Sequence, residues 1–288
     1  GLFVAAHGAL INGSKMIWLP RLDTAQLIKH LPRSTVMMGV PTFYVRLLMD
    51  PNFNKEVCKN MRLFVSGSAP LLTETFNNFQ KVSGHTILER YGMSETVMLV
   101  SNPYQGERIG GSVGVVLPGV EVRVVGDSGK LCGPDEIGGI EVRGPNIFKG
   151  YWRMPEKTAE DFRNLKLHTG DLGRMDADGY VNVVGRLKDM IIRGGENIYS
   201  SEVENILYEH PAVTDAALVG IPHQTLGEEP AAVVHLAPGA SATEGELRAW
   251  VSARLAKFKV PVKIIFTQDT LPRNANGKIL KRELKALF

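Results

Sequence analysis

The sequence predicts an α/β protein in two parts. Residues 1–187 read as a parallel sheet flanked by helices and continued by a β subdomain, and residues 188–288 as a smaller α+β unit. Three observations predict this. Apolar runs alternate with helix-like stretches up to about residue 90, the texture of βα units. Over residues 113–184 apolar positions recur with period two, as in half-buried antiparallel strands. Beyond Lys188, helix-start patterns and a helical apolar stripe return.

Taken in order, residues 34–40 form a buried strand. Pro41 suits the first turn of a helix running through Leu48, where its fixed φ is already helical and its missing N–H has no intrahelical partner to lose. Residues 62–67 form a second strand. A helix follows over residues 72–82, with Gly84 beyond its end to take a left-handed cap. Residues 86–90 form a third strand. Residues 120–125 and 139–143 are half-buried strands, and Asp178-Gly179 marks a hairpin turn. Residues 201–204 and 243–246 both have the form of a capping box. The helix after Thr243 places Leu247, Trp250, Val251 and Leu255 on one stripe. A last helix is expected from about Lys278 to the end. No low-complexity linker separates the two parts, so the boundary near Lys188 is tight, as a hinge would be.

Composition narrows the function classes. The 33 Lys and Arg against 30 Asp and Glu leave a net charge of +3, too mild to point to nucleic acid. Cys58 and Cys132 make no disulfide framework, so a reducing compartment, the cytoplasm, is expected. No apolar run approaches the roughly 18 residues of a membrane span. The chain opens at Gly1 without Met inside an apolar segment. That reads as a truncated start, which leaves organellar targeting open.

Four short sequences carry the chemistry. They are Glu89-Arg90-Tyr91-Gly92-Met93-Ser94-Glu95-Thr96, His168-Thr169-Gly170-Asp171, Gly185-Arg186-Leu187-Lys188-Asp189 with Gly194-Gly195-Glu196-Asn197, and Pro272-Arg273-Asn274-Ala275-Asn276-Gly277-Lys278. In this order and spacing the chain resembles the adenylate-forming (AMP-binding) enzymes, which include acyl-CoA synthetases, luciferases and peptide-synthetase adenylation domains. The resemblance implies that residues 1–187 are the C-terminal part of the large adenylate-forming domain and residues 188–288 its small mobile C-terminal domain. It also implies ATP, Mg²⁺ and coenzyme A as cofactors and co-substrates.

The residue roles follow from that resemblance, and each has a physical reason. Glu95 would ligate Mg²⁺, because phosphates undergoing transfer need a hard cation with oxygen ligands. Glu89, Arg90, Tyr91, Gly92, Met93 and Ser94 would line the nucleotide, with Tyr91 beside adenine. Serine at position 94, where Thr is commoner, keeps the hydroxyl. Gly67, Ser68, Ala69 and Pro70 follow a strand directly, where small residues let a ligand approach the backbone, beyond the carboxyl ends of the strands. Asp171 would accept the ribose hydroxyls, with Arg186 as a second contact. His168 stands where the family usually has an aromatic residue. Lys188 occupies the hinge position. Lys278 would stabilise charge developing between carboxyl and phosphate. Gly194, Gly195 and Glu196 would border the CoA tunnel.

Several segments resemble malonyl-CoA synthetases, notably residues 39–46, 88–93, 101–104 and 150–158. A dicarboxylate keeps one carboxylate free while the other is activated, and that charge calls for a cation, ideally a bidentate Arg. Arg46 matches the arginine given this role, with Ser68 beside it and Arg108 as a second candidate. A ligase for methylmalonate, an aryl acid or a fatty acid is the alternative, as is a non-catalytic nucleotide-binding fragment. The family's Ser/Thr/Gly-rich phosphate loop followed by Lys does not occur. The resemblance therefore covers about the last three-fifths of such an enzyme, and the chain alone is expected to be inactive.

Overall fold

The computed structural model describes residues 2–19, 22–274 and 278–288. Gly1 and the Ala275, Asn276 and Gly277 of the last motif lie outside the described residues. The chain forms two compact units, residues 1–169 with 174–183, and residues 170–173 with 184–288.

The first unit begins with a π-helical segment (Leu2–His7), followed by α1 (Gly8–Ile11) and α2 (Thr24–His30), the last capped by the Asp23 carboxylate on Gln26 N. Strand β1 (Val36–Gly39) leads into α3 (Pro41–Leu48), which starts at Pro41 as expected. Then come α4 (Lys55–Cys58), β2 (Leu63–Ser66), α5 (Thr73–Ser83) and β3 (Ile87–Tyr91). Gly84 closes α5 at φ +77°, the left-handed cap its sequence position called for. Strands β1, β2 and β3 pair in parallel, with Ser66 opposite Glu89. The sheet then turns antiparallel through β4 (Val100–Ser101) and β5 (Val115–Val116). Tyr44, Leu47, Phe64, Phe76 and Phe79 fill the core beneath it, with the Phe79 ring 4.9 Å from Phe64 and 5.3 Å from Tyr44.

The β subdomain follows with β6 (Glu121–Val125), β7 (Gly138–Arg143), α6 (Pro155–Asp161), β8 (Phe162–Arg163), β9 (Lys166–Met175) and β10 (Val181–Arg186). Its sheet runs β10-β9-β7-β6, and β8 pairs with β9. Strands β6 and β7 are antiparallel. The turn between β9 and β10 sits at Asp178-Gly179, with Gly179 at φ +84°. Leu99, Val122, Ile140, Leu167 and Val181 make this second core.

The second unit contains β11 (Ile191–Arg193), β12 (Glu196–Ile198), α7 (Ser200–Tyr208), β13 (Val213–His223), β14 (Gly227–Leu236), α8 (Glu244–Ser252), β15 (Lys263–Thr267) and α9 (Lys281–Lys285). Its sheet runs β12-β11-β14-β13, with β15 parallel to β14. Ile198, Leu207, Leu218, Val234, Leu247 and Val251 pack between sheet and helices.

Three sequence expectations need correction. Residues 201–204 do not cap α7: its N-cap is Tyr199, Ser201 already lies inside the helix and donates to Val184 O, and Glu204 accepts from Leu218 N at 2.7 Å. The stripe after Thr243 is shorter than read, because α8 ends at Ser252; Leu255 joins the same core from beyond the helix. The last helix starts at Lys281 rather than Lys278, because Ile279 pairs with Arg273 in an antiparallel bridge.

Candidate active site

The turn carrying Glu95 is built by close backbone approach. A Cβ on Gly92 would sit 2.2 Å from Val97 O, so only glycine fits there. Met93 N donates to Thr96 Oγ1 (3.2 Å) and Thr96 N to Met93 O (3.1 Å), with Thr96 fully buried. The next segment pins the turn from outside. Asn146 Nδ2 donates to Thr96 O (2.6 Å) and Met98 O (2.8 Å), and Phe148 N to Glu95 O (2.8 Å). Glu95 itself is half-buried, and its Oε1 faces the Tyr151 hydroxyl at 3.3 Å. That hydroxyl also meets Asp161 Oδ2 at 3.0 Å. Burial first, and then these carboxylates, push the Tyr151 phenol up to about 12, so it stays a proton donor at neutral pH.

One fixed carboxylate at a tight turn suits Mg²⁺, which keeps several waters and takes one or two protein carboxylates together with phosphate oxygens. Among the described residues no group of three or more His, Cys, Asp or Glu could hold a metal.

The Gly67–Pro70 loop lies against the end of β3. A Cβ on Gly67 would meet Arg90 O at 3.2 Å, and Ser68 is exposed at φ +72°, in the left-handed region that a serine rarely occupies. Glu89 turns inward. Its Oε1 accepts from Leu71 N at 3.0 Å, fastening the far end of the loop, and its Oε2 is buried without a partner. Burial raises its pKa to about 8, partly opposed by the Leu71 hydrogen bond. The main chain of Glu89 is occupied too, since Asn102 N donates to its carbonyl.

Arg90 gives the arrangement its charge. Its side chain packs over Gly67, and among the described residues Nη1 reaches the thioether of Met98 at 2.6 Å while Nε is buried with no partner. Desolvation pulls its pKa below the usual arginine value, with the nearby Tyr44 hydroxyl opposing. Tyr44 is itself committed to Val65 O at 2.5 Å. Arg90 is an under-satisfied cation at the carboxyl end of the sheet.

The two other arginines stand differently. Arg46 is exposed on the last turn of α3. Arg108 directs Nε, Nη1 and Nη2 to the carbonyls of Pro103, Thr86 and Tyr104 at 3.1, 2.7 and 3.0 Å, so its fork fastens a loop.

The second unit gathers a separate cluster. Asp171 on β9 is buried and accepts from Arg186 Nε on β10 at 2.8 Å. Lys278 lies close enough to feel Asp171, Arg186, Lys188 and Asp189. The residue is exposed, yet partial desolvation of its ammonium, followed by the Arg186 charge, lowers its pKa; Asp171 and Asp189 oppose this. Lys188 sits in the 3₁₀ turn Leu187–Asp189. Gly194 and Gly195, at φ +58° and +91°, make the two-residue turn between β11 and β12 that places Glu196 opposite Arg193.

Comparison with known proteins identifies the family. The sequence model described as AMP-binding enzyme matches residues 1–152, and that described as AMP-binding enzyme C-terminal domain matches residues 202–278. A feruloyl-CoA synthase of Amycolatopsis sp is 40% identical over 97% of this chain and 57% of its own length. A malonate–CoA ligase of Arabidopsis thaliana is 35% identical over 99% and 52%. The crystal structure of ATP-bound MatB from Rhodopseudomonas palustris superposes with a TM-score of 0.96 at 48% identity, over 100% of this chain and 57% of that one. The chain thus spans a little over half the length of the relatives it matches. It belongs to the AMP-binding enzyme family, with the family's C-terminal domain following the larger part.

Proposed function

We propose that the protein is an AMP-forming acid–CoA ligase and that its acid is a small dicarboxylate, malonate in the first instance. ATP and the acid give an acyl-adenylate and pyrophosphate, and the CoA thiol then displaces AMP to leave the thioester. The observation that carries the substrate class is Arg90: a half-buried guanidinium with a buried, bare Nε and, among the described residues, a sulfur as its one hydrogen-bond partner. A charge so placed is costly unless an anion completes it. The free carboxylate of a dicarboxylic acid is such an anion, and Arg presents it a two-pronged donor set. Arg46 and Ser68 are proposed as a second cation and a hydroxyl for the same group, with Arg108, whose fork is taken by carbonyls, as a further candidate.

In this reading Glu95 would hold Mg²⁺, which when bound would supply positive charge to the phosphates. Gly67, Ser68, Ala69, Pro70 and Tyr91 to Ser94 border the nucleotide, and Asp171 with Arg186 takes the ribose. Lys278 stabilises the first transition state. Gly194, Gly195 and Glu196 border the CoA path. The functional division falls at residues 187 and 188, and Lys188 is the residue whose backbone rotates between the two steps. The cytoplasm is the proposed compartment; among the described residues no helix is long and apolar enough to cross a membrane.

The test is CoA-thioester formation by the complete enzyme with malonate, methylmalonate, acetate, a cinnamate and a medium-chain fatty acid. Malonate should lead the series, and Arg90→Met should lower its kcat/KM by about 10²-fold or more, as loss of a charged hydrogen-bonding partner does. Arg46→Ala should cost less. A lead for cinnamate or the fatty acid that is indifferent to Arg90 would keep the ligase chemistry and discard the dicarboxylate.

A further inference from the structure

The segment that delivers Lys278 is tied to a buried carboxylate far away in sequence. Asp215 lies at a register irregularity of β13 and is 4% exposed. Its Oδ1 accepts from Tyr208 Oη at 2.6 Å and from Arg273 Nη2 at 2.7 Å, and its Oδ2 from Leu271 N at 3.3 Å. Leu271 and Arg273 open the stretch that ends at Lys278. Arg273 then bridges Ile279, Asn274 N donates to Lys278 O at 2.9 Å, and Lys278 N donates to Asn274 Oδ1 at 3.0 Å. A continuous set of bonds thus runs from the Asp215 carboxylate to both backbone polar groups of Lys278.

We propose that Asp215, with Tyr208 and Arg273, is a positioning residue for the Lys278 ammonium in the adenylation step. The proposal rests on the reading of Lys278 as the adenylation lysine. A lysine stem is flexible, so what the fold can fix is the backbone it springs from. Three donors on one buried carboxylate, two of them from the lysine's own segment, fix that backbone against β13. Neutralising Asp215 removes the negative charge that it sets against the half-buried Arg273 guanidinium. The segment then loses its anchor while the β13–β14 core stays packed.

The test uses the complete enzyme as wild type, Asp215→Asn, Tyr208→Phe, Lys278→Ala and the Asp215→Asn/Lys278→Ala double variant. Two half-reactions are read: malonate-dependent ATP–pyrophosphate exchange, and thioester formation from supplied malonyl-AMP and CoA. Asp215→Asn should lose exchange by about 10–100-fold, the effect of a catalytic group misplaced by about an ångström. It should keep thioester formation, and it should take nothing further from the residual exchange of Lys278→Ala. Tyr208→Phe should show a smaller loss with the same split, and it carries the test if Asp215→Asn fails to fold. Equal loss of both half-reactions, no loss of exchange, or a further loss in the double variant overturns the proposal. Full exchange by Lys278→Ala overturns the reading of Lys278 and this proposal with it. A silent Lys278→Ala beside fully active Asp215→Asn and Tyr208→Phe overturns only this proposal.

Discussion

Glu89 shows how one buried carboxyl couples the site to pH. Its pKa stands near 8, raised chiefly by burial, so the folded protein binds a proton that the unfolded chain releases near the ordinary value of 4.5. Its contribution is full below that ordinary value and declines as pH rises, until the folded-state group ionises near pH 8. Glu89→Gln keeps an acceptor for Leu71 N and has no charge to bury. The difference in thermal midpoint, variant minus wild type, should therefore grow from pH 5 to pH 8 and then level. A difference that stays constant over pH 5 to 9 would contradict the assignment. At this scale the sequence was legible where a local signal fixes the backbone, as Gly92 does for the turn that carries Glu95. It was silent where the partner is remote: Asp215 and Arg273 are 58 positions apart, and Glu95 and Tyr151 are 56 apart. It also could not distinguish the under-partnered Arg90 from the saturated Arg108, because carbonyl partners leave no signature in residue type.

Among the elements, those with local determinants were the readable ones. Pro41 starts α3, Gly84 ends α5, and Thr243 with Glu246 caps α8 reciprocally: Thr243 N donates to Glu246 Oε2 at 2.7 Å and Glu246 N to Thr243 Oγ1 at 3.2 Å. Thr243→Ala should destabilise α8 by about 1 kcal/mol, the usual worth of an N-cap. Hydrogen exchange over residues 244–252 would detect this as loss of protection, and unchanged protection would contradict the cap's role. Ser201 and Glu204 offered the same pattern and built something else, since a backbone carbonyl and the Leu218 amide compete for those side chains. The end of the chain misled for a related reason. Residues 278–285 have helical composition, but the Arg273–Ile279 bridge keeps the first of them extended. Tertiary pairing decides such cases, and propensity does not encode it.

Taken whole, the molecule shows which folding rules reach sequence level. Period-two strands over residues 120–143 and βα alternation before them predicted a parallel sheet and an antiparallel subdomain, and both are present. The antiparallel turn of the first sheet through β4 and β5 was not readable, because each strand is two residues long. Nor was the grouping of residues 170–173 with the second unit, which puts Asp171 in the same compact body as Arg186 and Lys278. That grouping matters for the chemistry proposed: the two residues proposed for the nucleotide and the one proposed for adenylation then share one neighbourhood, with the Lys278 ammonium in the field of Arg186 and Asp171. The central claim is that this neighbourhood serves acid activation through an adenylate. Its most direct test is malonate-dependent exchange of labelled pyrophosphate into ATP by the complete enzyme, wild type against Lys278→Ala. The account predicts exchange that requires the acid and falls by about 10²-fold or more in the variant, with thioester formation from supplied malonyl-AMP largely retained. Exchange that is independent of the acid, or untouched by loss of Lys278, would contradict it.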